Sequence, residues 1–293
     1  MSDFDVTTAT MAFRDGETWY RISNPRSAKP DAAPLLVLHG GPGGPHDYLL
    51  PLADLTSDGR AVIHYDQAGV GNSSRRPDWP TSAWTMDLFI DELVQLVDHL
   101  GLEGGFHLLG HSWGGMLGVE FALRFPDALR SLTLTDTVAS AQLILDSVNA
   151  IYAQLEDELE ESGAAEHSPR LHALFAERHM CRVPMTEELA YTFAQLGENT
   201  VVHRALNGTS NDEFEGNLRG WSAIDRLPGL TVPSLVLTGE FDELTPIAWQ
   251  PFVDGIPDVR LHVFAGASHV PFIETPAEYF EVLGGFLRDH DGS

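Results

Sequence analysis

A serine between two glycines is the first feature of the sequence that could carry chemistry. Residues 110–114 read Gly-His-Ser-Trp-Gly and stand between an apolar run, residues 106–109, and a helical pattern, residues 116–124. In a sharp strand-to-helix turn the flanking positions have no room for side chains, and the serine hydroxyl is lifted out above the sheet. The same five residues also occur in ordinary glycine turns, so the position after a strand is what favours Ser112 as a nucleophile.

A serine hydroxyl is a weak nucleophile unless a histidine removes its proton, and that histidine needs a carboxylate to orient it. With a serine in such a turn, the expected chain order is serine, carboxylate, histidine. His269 follows the apolar run 261–264 and is the one histidine of 13 that combines this order with a loop containing glycine. Asp242 follows the apolar run 234–237 and is the predicted carboxylate, with Asp136 as the alternative.

An acyl-transfer reaction also needs two hydrogen-bond donors aimed at the developing oxyanion. The backbone N–H of the residue after the nucleophile, Trp113, is the first candidate. The second is Gly41, in the run His-Gly-Gly-Pro-Gly-Gly at residues 39–44 that follows a predicted strand. A phosphate-binding loop is the competing interpretation of these glycines, but the lysine and the serine or threonine of a Walker motif are missing.

Short apolar runs bounded by glycine predict the strands that must position these residues. They fall at residues 35–38, 61–65, 106–109, 132–134, 234–237 and 261–264, and we expect them to be buried on both faces. Amphipathic helical patterns such as residues 84–100 lie between several of them. This alternation predicts a mostly parallel sheet covered by helices. Together with the strand-to-helix turn at Ser112 it favours the α/β-hydrolase fold. A β-hairpin with its turn at Asp15 and Gly16 is predicted to precede it.

The alternation of strands and helices is interrupted once, over a long stretch in the second half of the chain. Residues 139–227 lack a convincing buried strand and contain helical stretches at residues 141–161 and 186–196. We therefore expect a helical cap at residues 139–227, inserted into an α/β core that is formed by residues 1–138 and 228–293.

Charge and composition argue against several classes of partner. The 293 residues include 17 Lys and Arg against 43 Asp and Glu, a net charge of −26, so nucleic acid and an anionic membrane would be repelled. The single cysteine, Cys181, cannot form a disulfide within the chain or a cysteine-based metal site. Without a signal-peptide pattern or a membrane-spanning apolar run, we expect a cytoplasmic protein that needs no metal or cofactor. The oligomeric state is left open.

Several motifs together resemble the proline iminopeptidase type of α/β hydrolase, a group of serine aminopeptidases and amino-acid amidases. They lie at residues 39–49, 66–73, 110–117, 206–208, 213–214, 239–246 and 268–269. The resemblance covers nearly the whole chain and implies the same catalytic triad and oxyanion donors. It also implies that the cap is a lid and that Asp66 and Gln67 brace the loops beside the pocket. One departure is the stretch 207–214, which is longer than in those enzymes and lacks their proline.

The resemblance further implies that acidic side chains hold the protonated amino terminus of a substrate. Glu243 follows Asp242 directly and Glu213 lies in the cap, so the two could face one pocket; the alternative is that both are surface glutamates. A buried ammonium needs an opposite charge and hydrogen-bond acceptors, and a carboxylate supplies both.

The expected activity is hydrolysis of the amide bond after an unblocked amino-terminal residue, in a small peptide or an amino-acid amide. An esterase or lactonase with the same triad is the first alternative. A catalytically silent binding protein on the same scaffold is the second, since one fold serves different functions, and the complete triad argues against it.

Overall fold

A central eight-stranded sheet organises the chain, of which the computed structural model describes residues 4–161, 168–209 and 214–292. The strands are β1 (Phe4–Phe13), β2 (Gly16–Pro25), β3 (Leu35–Leu38), β4 (Val62–Tyr65), β5 (Phe106–His111), β6 (Leu129–Thr135), β7 (Ser234–Gly239) and β8 (Val259–Phe264). Their order across the sheet is β1-β2-β4-β3-β5-β6-β7-β8. The pairs β1–β2 and β2–β4 are antiparallel, and all the other pairs are parallel.

The first two strands form the predicted hairpin. They pair along their full length, from Phe4 opposite Pro25 to Phe13 opposite Gly16. The hairpin is longer than the sequence pattern indicates, because most of the first half of β1 is exposed and carries no apolar alternation.

Helices cover the sheet and fill the connections between its strands. They are α1 (Met86–Leu100), α2 (Trp113–Arg124), α3 (Ala141–Glu161), α4 (Ser168–Phe175), α5 (Glu187–Glu198), α6 (Val201–Asn207), α7 (Pro246–Gly255), α8 (Pro271–Glu274) and α9 (Pro276–Asp289). The predicted helix at 84–100 is α1, which begins after Thr85 accepts a hydrogen bond from the N–H of Leu88 at 3.2 Å. It ends at Gly101, whose φ of 66° suits a residue without a side chain. Over the described residues, no helix has both the length and the apolar character needed to cross a membrane.

Neighbouring residues of β3 point into different halves of the core. Leu36 and Leu38 belong to an apolar cluster that includes residues of α1 and α2, whereas Leu35 and Val37 belong to a cluster that includes residues of α9. Because successive side chains of a strand point to opposite faces, the sheet is covered on both sides. This layered arrangement is the predicted α/β-hydrolase fold.

The expectation of burial on both faces is wrong for β8. Leu261 and Val263, which share one face of this strand, are 39% and 41% exposed. Over the described parts of the chain, β8 is the last strand of the sheet and pairs with β7 alone. Its apolar run therefore indicated a strand but did not reveal its position at the edge.

Helices α3 to α6 all lie between β6 and β7 in the chain. Ile151 and Leu155 of α3 pack against Leu171 of α4 in a small apolar cluster separate from the two beside the sheet. A β-bridge between Ser140 and Ser222 joins the backbone at the beginning and the end of this segment. The described part of the segment contains helices and turns but no strand of the sheet.

Glu92 is a fully buried carboxyl group that ties α1 to the sheet and to the loop after β4. It accepts hydrogen bonds from the Thr18 hydroxyl of β2 and from the N–H of Ala68, the latter at 2.9 Å. Burial raises the pKa of Glu92 to about 7, against the opposing effect of these two hydrogen bonds. This group, whose pKa lies near neutrality, is therefore in direct contact with the loop after β4.

The buried Glu92 should make stability depend on pH. Its pKa is higher in the folded chain than in the unfolded chain, so its contribution to stability is complete below about pH 4.5 and is lost as the pH rises through about 7. Over that interval the free energy of unfolding of the wild type should fall by roughly 3 kcal/mol relative to Glu92→Gln, which cannot ionise. Urea unfolding of both proteins at about pH 5 and about pH 8 measures the difference. Parallel pH dependences would contradict it.

Candidate active site

Ser112 lies at the turn between β5 and α2, in a backbone conformation that few residues other than glycine adopt. Its φ and ψ are 54° and −121°, and its N–H donates to the carbonyl of Thr135 at 3.0 Å. A side chain at Gly110 would come within 2.2 Å of the carbonyl oxygen of Gly114, and one at Gly114 within 2.2 Å of that of Leu38. The close approach of the backbone therefore requires both glycines, which is the physical basis of the pattern Gly-x-Ser-x-Gly.

Asp242 and His269 come together from the loops that follow β7 and β8. His269 Nδ1 donates to Asp242 Oδ1 at 2.7 Å, and both side chains are buried. The same carboxylate oxygen accepts from the N–H of Leu244 at 3.1 Å. Because neighbouring parallel strands end at the same edge of the sheet, residues that are distant in sequence meet here. The bond at Nδ1 leaves Nε2 as the ring nitrogen that can exchange a proton.

Asp136, the alternative carboxylate, has different partners. Its Oδ1 accepts from the N–H of Gly239 at 3.1 Å, and its Oδ2 accepts from the Thr135 hydroxyl at 2.9 Å. Burial and the nearby charge of Asp242 raise the pKa of Asp136 well above its ordinary value. Within the described residues no hydrogen bond joins Asp136 to His269. Asp136 instead bonds to the beginning of the loop that carries Asp242, and its raised pKa favours the neutral form.

The two predicted oxyanion donors, Gly41 and Trp113, both line the cavity that contains Ser112. Gly41 has a φ of 120°, a conformation that side chains disfavour. Trp113 is the first residue of α2, and the N–H of a first helical residue has no partner inside its own helix. Both residues therefore line the same cavity as the nucleophile, and their role as oxyanion donors stays a prediction.

Ser112 lines two cavities. The larger has a volume of about 760 Å³ and is lined by Trp113 and Glu243 of the core and by Tyr152 of α3. The smaller, about 100 Å³, is lined by His269, by Glu243 and by residues of α5. The space around the nucleophile is thus enclosed between the carboxyl ends of the strands and the helices of the insertion.

Glu243, one of the two predicted amine-binding residues, lies beside the imidazole, with its Oε1 3.6 Å from His269 Nε2. The other, Glu213, falls outside the described residues. Burial by itself lowers the pKa of His269, but the charges of Asp242 and Glu243 and the hydrogen bond to Asp242 outweigh it and raise that pKa to about 10. Burial also raises the pKa of Glu243. Glu243 and His269 therefore titrate as a coupled pair.

A bridge through Tyr48 and His111 connects the two sides of the site and was not predicted from the sequence. The Tyr48 hydroxyl accepts from the N–H of Gly40 at 2.7 Å and lies 2.7 Å from His111 Nδ1. His111 Nε2 is in turn 2.8 Å from the carbonyl oxygen of His269. Burial and the charge of His269 keep the pKa of His111 well below its ordinary value, so a neutral ring accepts from Tyr48 and donates to His269. Both residues fall within motifs that resemble the family, which is the signal that could have found them.

The loop that begins at Asp66 holds the elements around the nucleophile in place. Asp66 accepts from the N–H and the Nδ1 of His46 at 2.9 and 2.8 Å, and from the backbone and side-chain N–H groups of Asn72. Gln67 accepts from the indole of Trp113 at 2.8 Å. These contacts agree with the bracing role that the resemblance implies.

His46, Asp47 and Asp66 form the one cluster, in the parts of the chain that the structure describes, whose ligand atoms are close enough together for a metal ion, within 4.8 Å of one another. Burial opposes the ionisation of Asp66, but its hydrogen bonds and the charge of His46 keep its pKa at about 2. The carboxylate of Asp66 is therefore already satisfied by protein donors. Its role in bracing the loop that begins at Asp66 explains why these three residues lie together.

Comparison with known proteins shows what the chain is similar to. Residues 33–276 match the α/β-hydrolase fold family. The proline iminopeptidase of Lactobacillus delbrueckii subsp. lactis is 34% identical over 300 residues, which cover 98% of this chain and 99% of that protein. The chain belongs to the α/β-hydrolase family that includes the proline iminopeptidases.

Two solved structures of this family are similar over almost the whole chain. The proline iminopeptidase of Mycobacterium smegmatis is 44% identical, with a TM-score of 0.89 over 97% of this chain and 99% of that one. The structure of VinJ is 37% identical, with a TM-score of 0.85 and the same coverage of both chains. The predicted fold class and the predicted family resemblance are both confirmed.

Replacing Tyr48 by Phe should cost both stability and activity. The N–H of Gly40 and the Nδ1 of His111 would lose a buried partner, which costs about 1–3 kcal/mol in the free energy of unfolding. Because Gly40 precedes the predicted oxyanion donor Gly41, kcat should fall by roughly tenfold with little change in KM. Urea unfolding and steady-state kinetics on the same preparation measure both effects.

Tyr65→Phe is the matched control, because the buried hydroxyl of Tyr65 has no hydrogen-bond partner among the residues that the structure describes. Its removal should leave both stability and kcat close to those of the wild type. Equal effects of the two substitutions would show that the bridge through Tyr48 has no role.

Proposed function

We propose that this protein is a serine aminopeptidase or amino-acid amidase that hydrolyses the amide bond after an unblocked amino-terminal residue. The observation that carries the proposal is that Ser112, His269 and the carboxylate of Glu243 line one cavity, with His269 bonded to Asp242 at 2.7 Å behind it. Similarity over the full chain length to proteins named proline iminopeptidases supports the same class of reaction.

The first half of the reaction forms an acyl-enzyme. Ser112 Oγ attacks the carbonyl carbon of the amide while its proton passes to His269 Nε2, and Asp242 stabilises the resulting imidazolium. The carbonyl oxygen becomes an oxyanion that accepts hydrogen bonds from the backbone N–H groups of Gly41 and Trp113. The C–N bond then breaks, and His269 gives its proton to the leaving amine nitrogen.

The second half of the reaction repeats these roles with water. Water attacks the ester carbon on Ser112 Oγ and passes a proton to His269. The tetrahedral intermediate collapses, the serine takes the proton back, and the amino acid leaves as its carboxylic acid. Apart from the substrate and water, the side chains and backbone of the chain supply every group that these steps use.

Glu243 defines the substrate class. Its side chain is only 19% exposed, and a carboxylate in such a place stabilises an ammonium that has left water. Proline is the amino-terminal residue that the names of the relatives give, and the larger cavity, about 760 Å³, has room for other residues as well. We propose that the helical cap, residues 139–227, serves as the lid of this cavity on a core of residues 1–138 and 228–293.

The carboxylate of the triad can be assigned by comparing two substitutions. Asp242→Asn should lower kcat by about 10⁴-fold, because a neutral amide cannot stabilise the imidazolium. Asp136→Asn should do much less, because the raised pKa of Asp136 already favours its neutral form and asparagine retains an acceptor oxygen. Turnover of an aminoacyl anilide measures both effects, with Ser112→Ala as the inactive reference. The reverse ranking would assign the role to Asp136.

The charge of Glu243 should matter only for substrates with a free amine. Glu243→Gln should lower kcat/KM for aminoacyl anilides and amides by roughly 1–3 kcal/mol, the scale of a charged hydrogen bond. The same substrates with an acetylated amine should show no such loss. A kinetic panel of anilides, amides and esters, each free and acetylated, measures the difference.

Glu240→Gln is the control for this panel, because it removes the same charge from the same loop. Glu240 is exposed, and the bond that it accepts from the N–H of Gly266 at 2.9 Å can be kept by the amide oxygen of glutamine. It should leave the whole panel unchanged. Equal losses on free and acetylated substrates in Glu243→Gln would remove the amine site and favour an esterase or lactonase.

A further inference from the structure

His269 Nε2, the proton acceptor of the proposed reaction, must serve Ser112 but also lies close to the carboxylate of Glu243. His269 must accept from Ser112 through Nε2, because Nδ1 is bonded to Asp242. Glu243 Oε1 lies 3.6 Å from that same nitrogen. Among the described residues no hydrogen bond joins Ser112 Oγ to His269. In the free protein the Nε2 side of the ring therefore faces a carboxylate.

The other ionisable groups around His269 do not supply a free charge on the Nε2 side. Burial and the charge of Asp242 raise the pKa of Asp136 well above its ordinary value, which favours the neutral form. His111 contacts the ring edge-on, with 4.7 Å between ring centroids, and is kept neutral by its buried position. Glu274 is bonded to the N–H and the hydroxyl of Ser268. His179, whose pKa is lowered by burial, is bonded to the carbonyl of Phe241.

We propose that Glu243 holds His269 in its protonated, unreactive form until the ammonium group of a substrate binds to Glu243 and frees the base. The inference rests on the proposed function and deepens it. The substrate amine then acts twice, first as the group that is recognised and then as the trigger that activates the nucleophile.

Charge balance explains the direction of this switch. With two carboxylates beside it, the imidazole keeps a proton on each nitrogen, in accord with a pKa of about 10 for His269. An ammonium that pairs with Glu243 cancels one negative charge, so the pKa of His269 falls and the proton on Nε2 passes to solvent. Nε2 then has a free lone pair for the proton of Ser112. A substrate with a blocked amine brings no positive charge and meets a protonated histidine.

The proposal predicts a gain of reactivity when the carboxylate is removed. The probe is an uncharged alkyl phosphonofluoridate, which needs an active serine but has no amine, and the readout is the rate of covalent modification of Ser112 by mass spectrometry. In Glu243→Gln the pH at half-maximal rate should be lower than in the wild type, and each unit of that shift raises the rate at about pH 7 by roughly tenfold. Glu240→Gln should follow the wild type.

A second measurement uses the wild-type protein alone. Methylammonium ion, which can pair with Glu243 without being a substrate, should accelerate the modification of wild-type Ser112 near neutral pH and have no effect on Glu243→Gln. Equal pH profiles for wild type and Glu243→Gln, or slower labelling by the variant, would overturn the switch.

Failure of the switch and failure of the proposed function give different results. If Ser112 is not modified in any of these proteins at any pH, the serine-hydrolase mechanism itself is wrong. If Ser112 is modified but neither Glu243→Gln nor methylammonium changes the profile, the mechanism stands and Glu243 has no control over His269.

Discussion

Negative charge buried around one imidazole is the constraint on which this site depends. The negative charges of Asp242 and Glu243 act on His269, the carboxyl group of Asp136 is buried close to them, and a protein interior tolerates such groups only when each is satisfied. The fold gives each group a separate environment. Asp242 bonds to the imidazole of His269. Asp136 favours its neutral form and accepts hydrogen bonds at the beginning of the loop that carries Asp242. Glu243 faces the cavity.

Backbone contacts help to fix the elements that carry these groups. The strand-to-helix turn at Ser112 is possible because Gly110 and Gly114 have no side chains. The backbone segments around them therefore approach one another too closely to admit a side chain. The bridge from Tyr48 through His111 ends on backbone groups at both sides, the N–H of Gly40 and the carbonyl of His269. Such contacts fix the loop that contains Gly40 relative to the loop that contains His269, without adding charge.

The helices between β6 and β7 form part of the wall of the site at the carboxyl ends of the strands. They supply Tyr152 and His203 to the wall of the larger cavity, while the core supplies Trp113 and Glu243. Since the same layered core serves many reactions, we expect this wall and the charge of Glu243 at its base to select the substrate. Glu243 connects the two, because it contacts the cavity on one side and His269 on the other.

The sequence by itself determined those features that local patterns encode. Apolar runs and their spacing indicated the strands and the helical insertion. The positions of Ser112, Asp242 and His269 after such runs predicted a catalytic triad. Of that triad, the structure shows the hydrogen bond between Asp242 and His269. Tertiary structure decided the rest. The exposed edge of β8, the partners of Asp136, the bridge through His111 and the 3.6 Å approach of Glu243 to His269 all join segments distant in the chain or depend on the orientation of a side chain. Local patterns contain no record of such contacts, because packing of the whole chain decides which buried groups meet.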